Sequence, residues 1–170
     1  KVELIITTAS SPTNLVDTQT DILIAIDSYI AQPEITVRIP LFTYPYTCYA
    51  SPQYLNTCEQ PITETNLSNH RCLTYRNDRI WQLNGQAYEL TKTHCFDTGD
   101  SILAACLSGM GLMYYPSFMA QALERNGQLI NVFPKCTTKE ESLCLYYTQQ
   151  PYQTKKTKSF IELVKARLKS

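Results

Sequence analysis

Apolar residues in the first forty positions follow the patterns of β-strands. Asp21 to Ile26 is almost continuously apolar over a strand-sized length, which predicts a strand covered on both faces. Val2 to Thr8 is β-branched and apolar. A short helix with a serine cap before Pro12 should follow it, and together with the Asp21–Ile26 strand this predicts a right-handed strand–helix–strand crossover. Ile35 to Leu41 alternates apolar and polar residues and contains Pro40, so it predicts a strand near a sheet edge.

The middle of the chain predicts short helices and short strands. Ser51-Pro52 places a capping serine before a proline at the first helical position, which is typical of a helix start. Asn84-Gly85 between two apolar runs predicts a hairpin turn. The strands predicted here are Cys72–Tyr75, Ile80–Leu83, Ala87–Thr91 and His94–Asp97.

Beyond residue 98 the apolar spacing becomes helical. A helix through Ile102 and Cys106 is predicted, with a cap at Thr98 or Asp100 and an end at Gly109. The elements predicted after it are a strand at Gly111–Tyr115, a helix at Ser117–Asn126, and strands at Leu129–Phe133 and Ser142–Thr148. An amphipathic helix capped by Thr157 ends the chain, with a stripe of Phe160, Ile161, Val164 and Leu168. The pattern as a whole predicts an α/β fold in two halves.

Composition and charge narrow the class of protein. The 170 residues carry 15 basic and 15 acidic side chains, so nothing indicates a nucleic-acid or anionic-membrane surface over the whole chain. No apolar run approaches the ~18–20 residues of a membrane span, and the start of the chain is not a signal peptide. Seven cysteines without a CxxC pair favour a reducing, cytoplasmic compartment. We therefore expect a soluble, cytoplasmic chain.

Catalytic and metal motifs are not evident. The sequence contains no GxSxG, GxGxxG or P-loop pattern. His70 and Cys72 could share a strand face, but the adjacent His94 and Cys95 point to opposite faces, which disfavours a zinc site. Cys48 is the cysteine placed to act as a redox sensor, although a buried structural thiol is the favoured interpretation. We expect no enzyme activity, no metal and no cofactor.

The segment Thr98-Gly99-Asp100-Ser101 joins a predicted strand to a predicted helix. The N–H groups and the positive dipole at a helix start can hold an anionic or polar group, assisted here by the hydroxyls of Thr98 and Ser101. An ordinary helix cap explains the same residues, and Asp100 itself opposes an anion. On local grounds both interpretations stay open.

Several segments together resemble the effector-binding (regulatory) domain of LysR-type transcriptional regulators, and their order and spacing match that family over nearly the whole chain. Ala-Ser-Pro-x-Tyr-Leu and His-Arg-Cys-Leu are its more specific motifs. The matching segments are Asp21–Ile24, Ala50–Leu55, Asn66–Leu73, Ala104–Pro116, Gly127–Ile130 and Lys158–Val164.

The resemblance implies a two-lobed, periplasmic-binding-protein-like (type 2) α/β fold. One lobe would contain 1–43 and 149–170, the other 50–142, with hinge crossings at about 44–49 and 143–148. A small organic effector would lie between the lobes. The residues expected to bind it are Asp27, Ser28, Tyr49, Ser51, Thr98, Gly99, Asp100, Ser101 and Tyr115.

Two departures from the family matter. Its effector domain usually begins with a further strand, loop and long helix, so the first lobe is expected to be shortened here. Ala25 stands where the family very often has Arg, which makes a carboxylate effector less certain.

The resemblance also implies partners. The chain is expected to self-associate as a dimer or tetramer and to reach DNA only through an N-terminal domain that these residues do not include. Membrane association is not expected. The alternative is a solute-binding protein of a transport system, and the cysteines and the lack of an export signal count against it.

Overall fold

The computed structural model of the protein describes residues 3–7, 20–29, 36–148 and 154–168. The described chain divides into two compact units. One, which we call the terminal unit, contains residues 1–43 and 141–170, and the other, the central unit, contains residues 44–140.

Three strands form the sheet in the described part of the terminal unit. β1 (Leu23–Ile26) pairs antiparallel with β9 (Glu140–Thr148), and β9 also pairs with β2 (Thr36–Ala50). Cys144 and Tyr146 of β9 are buried against apolar side chains of β1. Helix α4 (Lys155–Leu168) follows and buries Ile161.

The central unit contains a mixed sheet. The second part of β2 pairs antiparallel with β7 (Leu112–Pro116), and β7 pairs in parallel with β3 (Cys72–Tyr75). β3 pairs in parallel with β6 (Thr93–Phe96), and the short β8 (Ile130–Asn131) pairs with β2. β4 (Ile80–Leu83) and β5 (Gln86–Glu89) form a separate hairpin.

Three helices belong to the central unit. They are α1 (Pro52–Leu55), α2 (Gly99–Leu107) and α3 (Ser117–Arg125). Ser51 caps α1 and Thr98 caps α2, and Gly109 ends α2 at φ +80°, so the predicted start and stop signals are confirmed. A 3₁₀-helix, Glu64–Asn69, lies between α1 and β3.

Alternating side chains of the central sheet build two cores. Cys48, Tyr114 and Leu112 contribute to a cluster that includes Trp81 of the hairpin. Their neighbours along the strands, Tyr49 and Tyr115, contribute to a second cluster with α2 and α3. This two-sided burial is the reason for the nearly continuous apolar sequence of β7.

The hairpin prediction is confirmed. Asn84 and Gly85 join β4 to β5 with φ values of 51° and 73°, the left-handed conformations that a tight two-residue turn requires. Asn84 also accepts hydrogen bonds from the backbone N–H and the hydroxyl of Thr137, which ties the turn to the segment before β9.

Predictions for the amino-terminal part of the chain were wrong in three respects. Residues 3–7, the described part of Val2–Thr8, form no strand, and Ile5 is 83% exposed. These residues therefore do not supply the first strand of the predicted crossover. β1 instead pairs antiparallel with β9. It is not covered on both faces, because Ile24 is 46% exposed. The helix predicted near Pro12 lies outside the described residues.

Two further expectations are resolved along the chain. The described part of Ile35–Leu41, from Thr36 on, and the extended residues after it form one strand, β2, and its first part has β9 as its neighbour in the terminal unit. Thr157 does not cap α4. The hydroxyl of Thr154 accepts the N–H of Thr157, so the cap lies one turn earlier. Leu168 is exposed, whereas the rest of the predicted stripe is partly or fully covered.

Candidate functional site

The carboxyl ends of three parallel strands lie at one edge of the central sheet. β3, β6 and β7 run in the same direction, so the residues that follow them lie at the same edge. Thr98 follows β6, and Tyr115 is the penultimate residue of β7. The sheet therefore places the start of α2 and Tyr115 together.

The start of α2 is organised by Thr98. Its Oγ1 accepts the N–H of Ser101 at 3.2 Å, and it also lies 2.8 Å from Ser101 Oγ. The first N–H groups of a helix have no intrahelical acceptor, so those of Gly99 and Asp100 remain as donors at this end. The side chains of Thr98, Asp100 and Ser101 are exposed.

Tyr115 carries a buried hydroxyl at this helix start. The residue is 3% exposed, and its Oη has no hydrogen-bond partner in the described part of the chain. A Cβ placed on Gly99 would lie 3.4 Å from that Oη, so glycine keeps the two close. Burial, and then the Asp100 carboxylate, raises the pKa of Tyr115, so its hydroxyl is a neutral donor.

Tyr49 lies in the same apolar cluster as Tyr115. It stands opposite Met113 in the β2–β7 pair, and its hydroxyl donates to Glu124 Oε2 at 3.3 Å. Burial, followed by the Glu124 carboxylate, raises the pKa of Tyr49 to about 12. The hydroxyl is thus already engaged with α3.

Ser51 lies at the opposite end of the sheet. β2 runs antiparallel to β7, so its carboxyl end is next to the start of β7. The Oγ of Ser51 caps α1 by accepting the N–H of Tyr54 at 3.4 Å. The structure therefore does not bring Ser51 to the edge that holds Thr98 and Tyr115.

Asp27 and Ser28 belong to the terminal unit, in a 3₁₀ turn after β1. Arg38 donates to both carboxylate oxygens of Asp27, from Nε at 2.7 Å and from Nη2 at 2.9 Å, and the Tyr146 hydroxyl donates to the first. Ser28 is exposed. Sequence reasoning missed Arg38 and Tyr146, because neither lies near Asp27 in the chain and no local motif links them.

The Asp27–Arg38 pair predicts a pH-dependent contribution to stability. Hydrogen bonds from Arg38 and then from Tyr146 hold the pKa of Asp27 below its ordinary value of 3.8. The stabilisation is therefore present above that value and is lost as the pH falls through the lower, folded-state pKa. Because both side chains are about 40% exposed, we expect at most about 1 kcal/mol.

Asp27→Asn should remove this contribution. The difference in urea midpoint between the natural chain and the variant should be largest at neutral pH and should disappear in acid. Asp21→Asn, which changes an exposed aspartate before β1, is the matched control. A midpoint difference that did not depend on pH would contradict the assignment.

Neither a reactive thiol at Cys48 nor a metal site is supported by the described residues. Cys48 is fully buried, and burial raises its pKa well above the ordinary value, which argues against a reactive thiolate. Within the described ranges, no three His, Cys, Asp or Glu side chains lie close enough to hold a metal ion. No helix in those ranges has the length and apolar character to span a membrane.

Comparison with known proteins gives a family match and a fold match. The family described as LysR substrate binding domain matches residues 1–169. The HTH-type transcriptional activator TtdR of Escherichia coli strain K12 is 28% identical over 125 residues, which cover 69% of this chain and 40% of TtdR. The chain therefore spans less than half of the length of that relative.

Solved structures of the same kind share the fold. The LysR-type regulator CrgA from Neisseria meningitidis matches with a TM-score of 0.80 at 20% identity, over 92% of this chain and 55% of that one. The effector domain of AmpR from Pseudomonas aeruginosa matches with a TM-score of 0.78 at 20% identity, over 96% and 79%. The prediction of a periplasmic-binding-protein-like α/β fold is confirmed.

Proposed function

Because the chain belongs to the LysR substrate-binding-domain family, we propose that it is the effector-sensing part of a LysR-type transcriptional regulator. Sensing a small organic effector is the function that this domain serves in such regulators. The match to TtdR supports the regulatory assignment, and the fold match to CrgA and AmpR is consistent with it.

The effector is proposed to bind at the start of α2 in the central unit. The observation that carries this proposal is the Tyr115 hydroxyl, which is buried without a partner among the described residues, next to Gly99. A buried hydroxyl left unsatisfied costs about 1–3 kcal/mol, and an acceptor atom on a ligand removes that cost. Thr98 and Ser101 add hydroxyls at the same place.

The chemistry of this edge favours an uncharged acceptor on the effector. The N–H groups of Gly99 and Asp100 and the Tyr115 hydroxyl are all donors, whereas the Asp100 carboxylate repels a fully ionised group. A carbonyl, amide or hydroxyl oxygen satisfies the donors without that repulsion. Tyr49, Asp27 and Ser28 stay predicted contacts, although the hydroxyl of Tyr49 and the carboxylate of Asp27 are already engaged inside their own units. Ser51 lies at the other end of the central sheet and is not part of this proposed site.

The proposal extends to the chain's partners. Effector occupancy is proposed to change the geometry of a dimer or tetramer of the parent regulator. DNA is then contacted by a separate helix-turn-helix domain, in the cytoplasm. In this role the chain binds and releases its effector without catalysis. The coupling requires that the effector bind the two assembly states with different affinities.

A thermal-shift screen with paired compounds tests the site. Amino acids, aromatic acids and central metabolites are tested, each acid beside its amide where one exists. A ligand at about 100 times its Kd should stabilise the chain by ~2.7 kcal/mol. Tyr115→Phe should reduce the affinity for a bound ligand about tenfold, since it removes one hydrogen bond to a buried group.

The same variant gives a readout without ligand. Because Tyr115→Phe removes an unsatisfied buried hydroxyl, the ligand-free variant should unfold at the same or a slightly higher temperature. Tyr88→Phe, which removes an exposed hydroxyl on the β5 strand, is the matched control and should keep the ligand affinity. If Tyr115→Phe destabilises the free chain and leaves the affinity unchanged, the proposed site is wrong.

A further inference from the structure

An open cavity in the central unit lies away from the start of α2. It has a volume of about 370 Å³ and lies beside the end of α1, the 3₁₀-helix and the residues that precede β3 and β6. It therefore lies toward the amino ends of these parallel strands, whereas Thr98 follows their carboxyl ends. The side chains lining it are Tyr54, Thr57, Cys58, Glu59, Gln60, Asn66, Asn69, His70, Arg71 and Lys92.

The hydrogen bonds of Tyr54 position His70 at the cavity. The backbone N–H of Arg71 donates to the Tyr54 hydroxyl at 3.2 Å, and the same hydroxyl is hydrogen-bonded to His70 Nδ1, also at 3.2 Å. Cys58 Sγ lies 4.0 Å from the same nitrogen and donates to the Tyr54 carbonyl at 3.5 Å. A neutral imidazole has an N–H on one ring nitrogen, and a protonated one has an N–H on both. The residues that line the cavity therefore include an imidazole that can act as a donor.

Two cations are held at the same cavity. Lys92 Nζ donates to the carbonyl of Asn69 at 3.0 Å, which fixes one ammonium at the rim. The Arg71 guanidinium lies over the Tyr54 ring, with its central carbon 5.4 Å from the ring centroid. Glu59 is the one carboxylate among the lining residues, so the lining carries more positive than negative charge.

We propose that this cavity binds a phosphate-sized oxyanion borne on a small molecule, with Arg71, Lys92 and the imidazole of His70 as its donors. Arginine and lysine form charge-assisted hydrogen bonds with such anions, and the imidazole N–H supplies a third donor. The volume is near the lower end of the range for small-molecule sites, which suits a compact ligand. The proposal is independent of the effector site at α2.

The titration of His70 supports this assignment. Burial, and then the Lys92 charge, lowers the pKa of His70, so the imidazole is neutral at pH 7. Tyr54, Cys58, Arg71 and Glu59 are the other titratable or charged groups at the cavity. An oxyanion beside the imidazole favours its protonated form, so binding should raise that pKa.

Phosphate titration followed by NMR of the histidine rings tests the proposal. The chain has two histidines, so the ring signals of His94 on β6 serve as an internal reference. Inorganic phosphate should shift the His70 signals in a saturable way and raise the pKa of His70. Acetate at the same ionic strength should act more weakly, because it offers fewer oxygens.

Matched variants separate a built site from general attraction to a cation. Arg71→Gln and Lys92→Gln should each weaken phosphate binding about tenfold. Lys135→Gln, which removes an exposed lysine outside the cavity, should leave it unchanged. Tyr115→Phe should also leave it unchanged, so failure at one site is distinguishable from failure at the other.

Three results would overturn the proposal. In the first, phosphate shifts the ring signals of His70 no more than those of His94. In the second, the shift of the His70 signals grows linearly with phosphate concentration and does not saturate. Equal weakening by Arg71→Gln and Lys135→Gln would likewise show that net charge, and not this cavity, attracts the anion. Circular dichroism of each variant confirms that the fold is retained before binding is compared.

Discussion

Gly111→Ala should destabilise the central unit by about 2–3 kcal/mol, through a clash that the backbone itself must absorb. A Cβ at position 111 would lie 2.3 Å from the carbonyl oxygen of Arg71 and 2.9 Å from its carbonyl carbon. That oxygen accepts the N–H of Leu112 at 2.8 Å, where β7 begins beside β3. The variant must therefore separate the two strands at the start of their pairing. Urea unfolding, followed by the fluorescence of the single tryptophan, Trp81, measures the loss.

Gly127→Ala is the control for this change. Gly127 has φ +71°, and a Cβ there meets nothing within 4 Å, so the cost is limited to the backbone conformation, about 1–2 kcal/mol. Gly111→Ala should therefore be the more damaging of the two. A variant of Gly111 as stable as the natural chain would show that β3 and β7 can move apart freely.

Trp81→Ala should have the largest effect of the substitutions considered, about 3–5 kcal/mol. Trp81 is 2% exposed and stacks on Tyr114 with ring centroids 5.6 Å apart. It joins the β4–β5 hairpin to the core formed by Cys48 and Leu112. The variant leaves a large cavity at this junction, because two neighbours belong to a paired sheet and cannot collapse into it. Urea unfolding followed by circular dichroism measures the effect, since the fluorescent residue is gone.

Ile80→Ala provides the comparison on the same strand. Ile80 precedes Trp81 but points to the other face and is 53% exposed, so its truncation should cost well under 1 kcal/mol. If Ile80→Ala and Trp81→Ala lowered the free energy of unfolding by similar amounts, the hairpin would not be anchored through Trp81. Loss of hairpin structure alone, with the sheet intact, would also contradict the prediction.

Much of the central unit could be predicted because its signals are local. Thr98 and Gly109 carry the start and the stop of α2 in their own chemistry, and Asn84-Gly85 carries the hairpin turn. Each of these predictions depended on a few neighbouring residues, and the element it predicted is present in the folded chain.

Prediction failed where an element depends on distant partners. Residues 3–7 have the composition of a strand, yet they form none in the described structure. β2 is one strand of fifteen residues although it contains Pro40 and Pro45, which in the sequence suggest a break. The antiparallel pairing of β1 with β9 joins residues more than a hundred positions apart, and no local pattern encodes it.

The same distinction applies to the candidate sites. Thr98 and Tyr115 were expected at the site because the family resemblance places the effector near strand ends and helix starts, but the unsatisfied Tyr115 hydroxyl depends on what surrounds it in the fold. Ser51 was grouped with them because the direction of β2 relative to β7 is not readable from either segment. Arg71 and Lys92 were not singled out, since their proximity depends on the parallel pairing of β3 with β6.

The division of the chain sets the order in which it can fold on the ribosome. The central unit is one continuous stretch, 44–140, so all its strand partners are available once that stretch has emerged. β1 is made before this stretch, but its partner in the described structure, β9, is synthesised more than a hundred residues after it. Domains fold as units during synthesis. The nascent chain therefore carries β1 without β9 while the central unit can already fold, and during this interval the strand edge that β9 will cover is open to aggregation or chaperone binding.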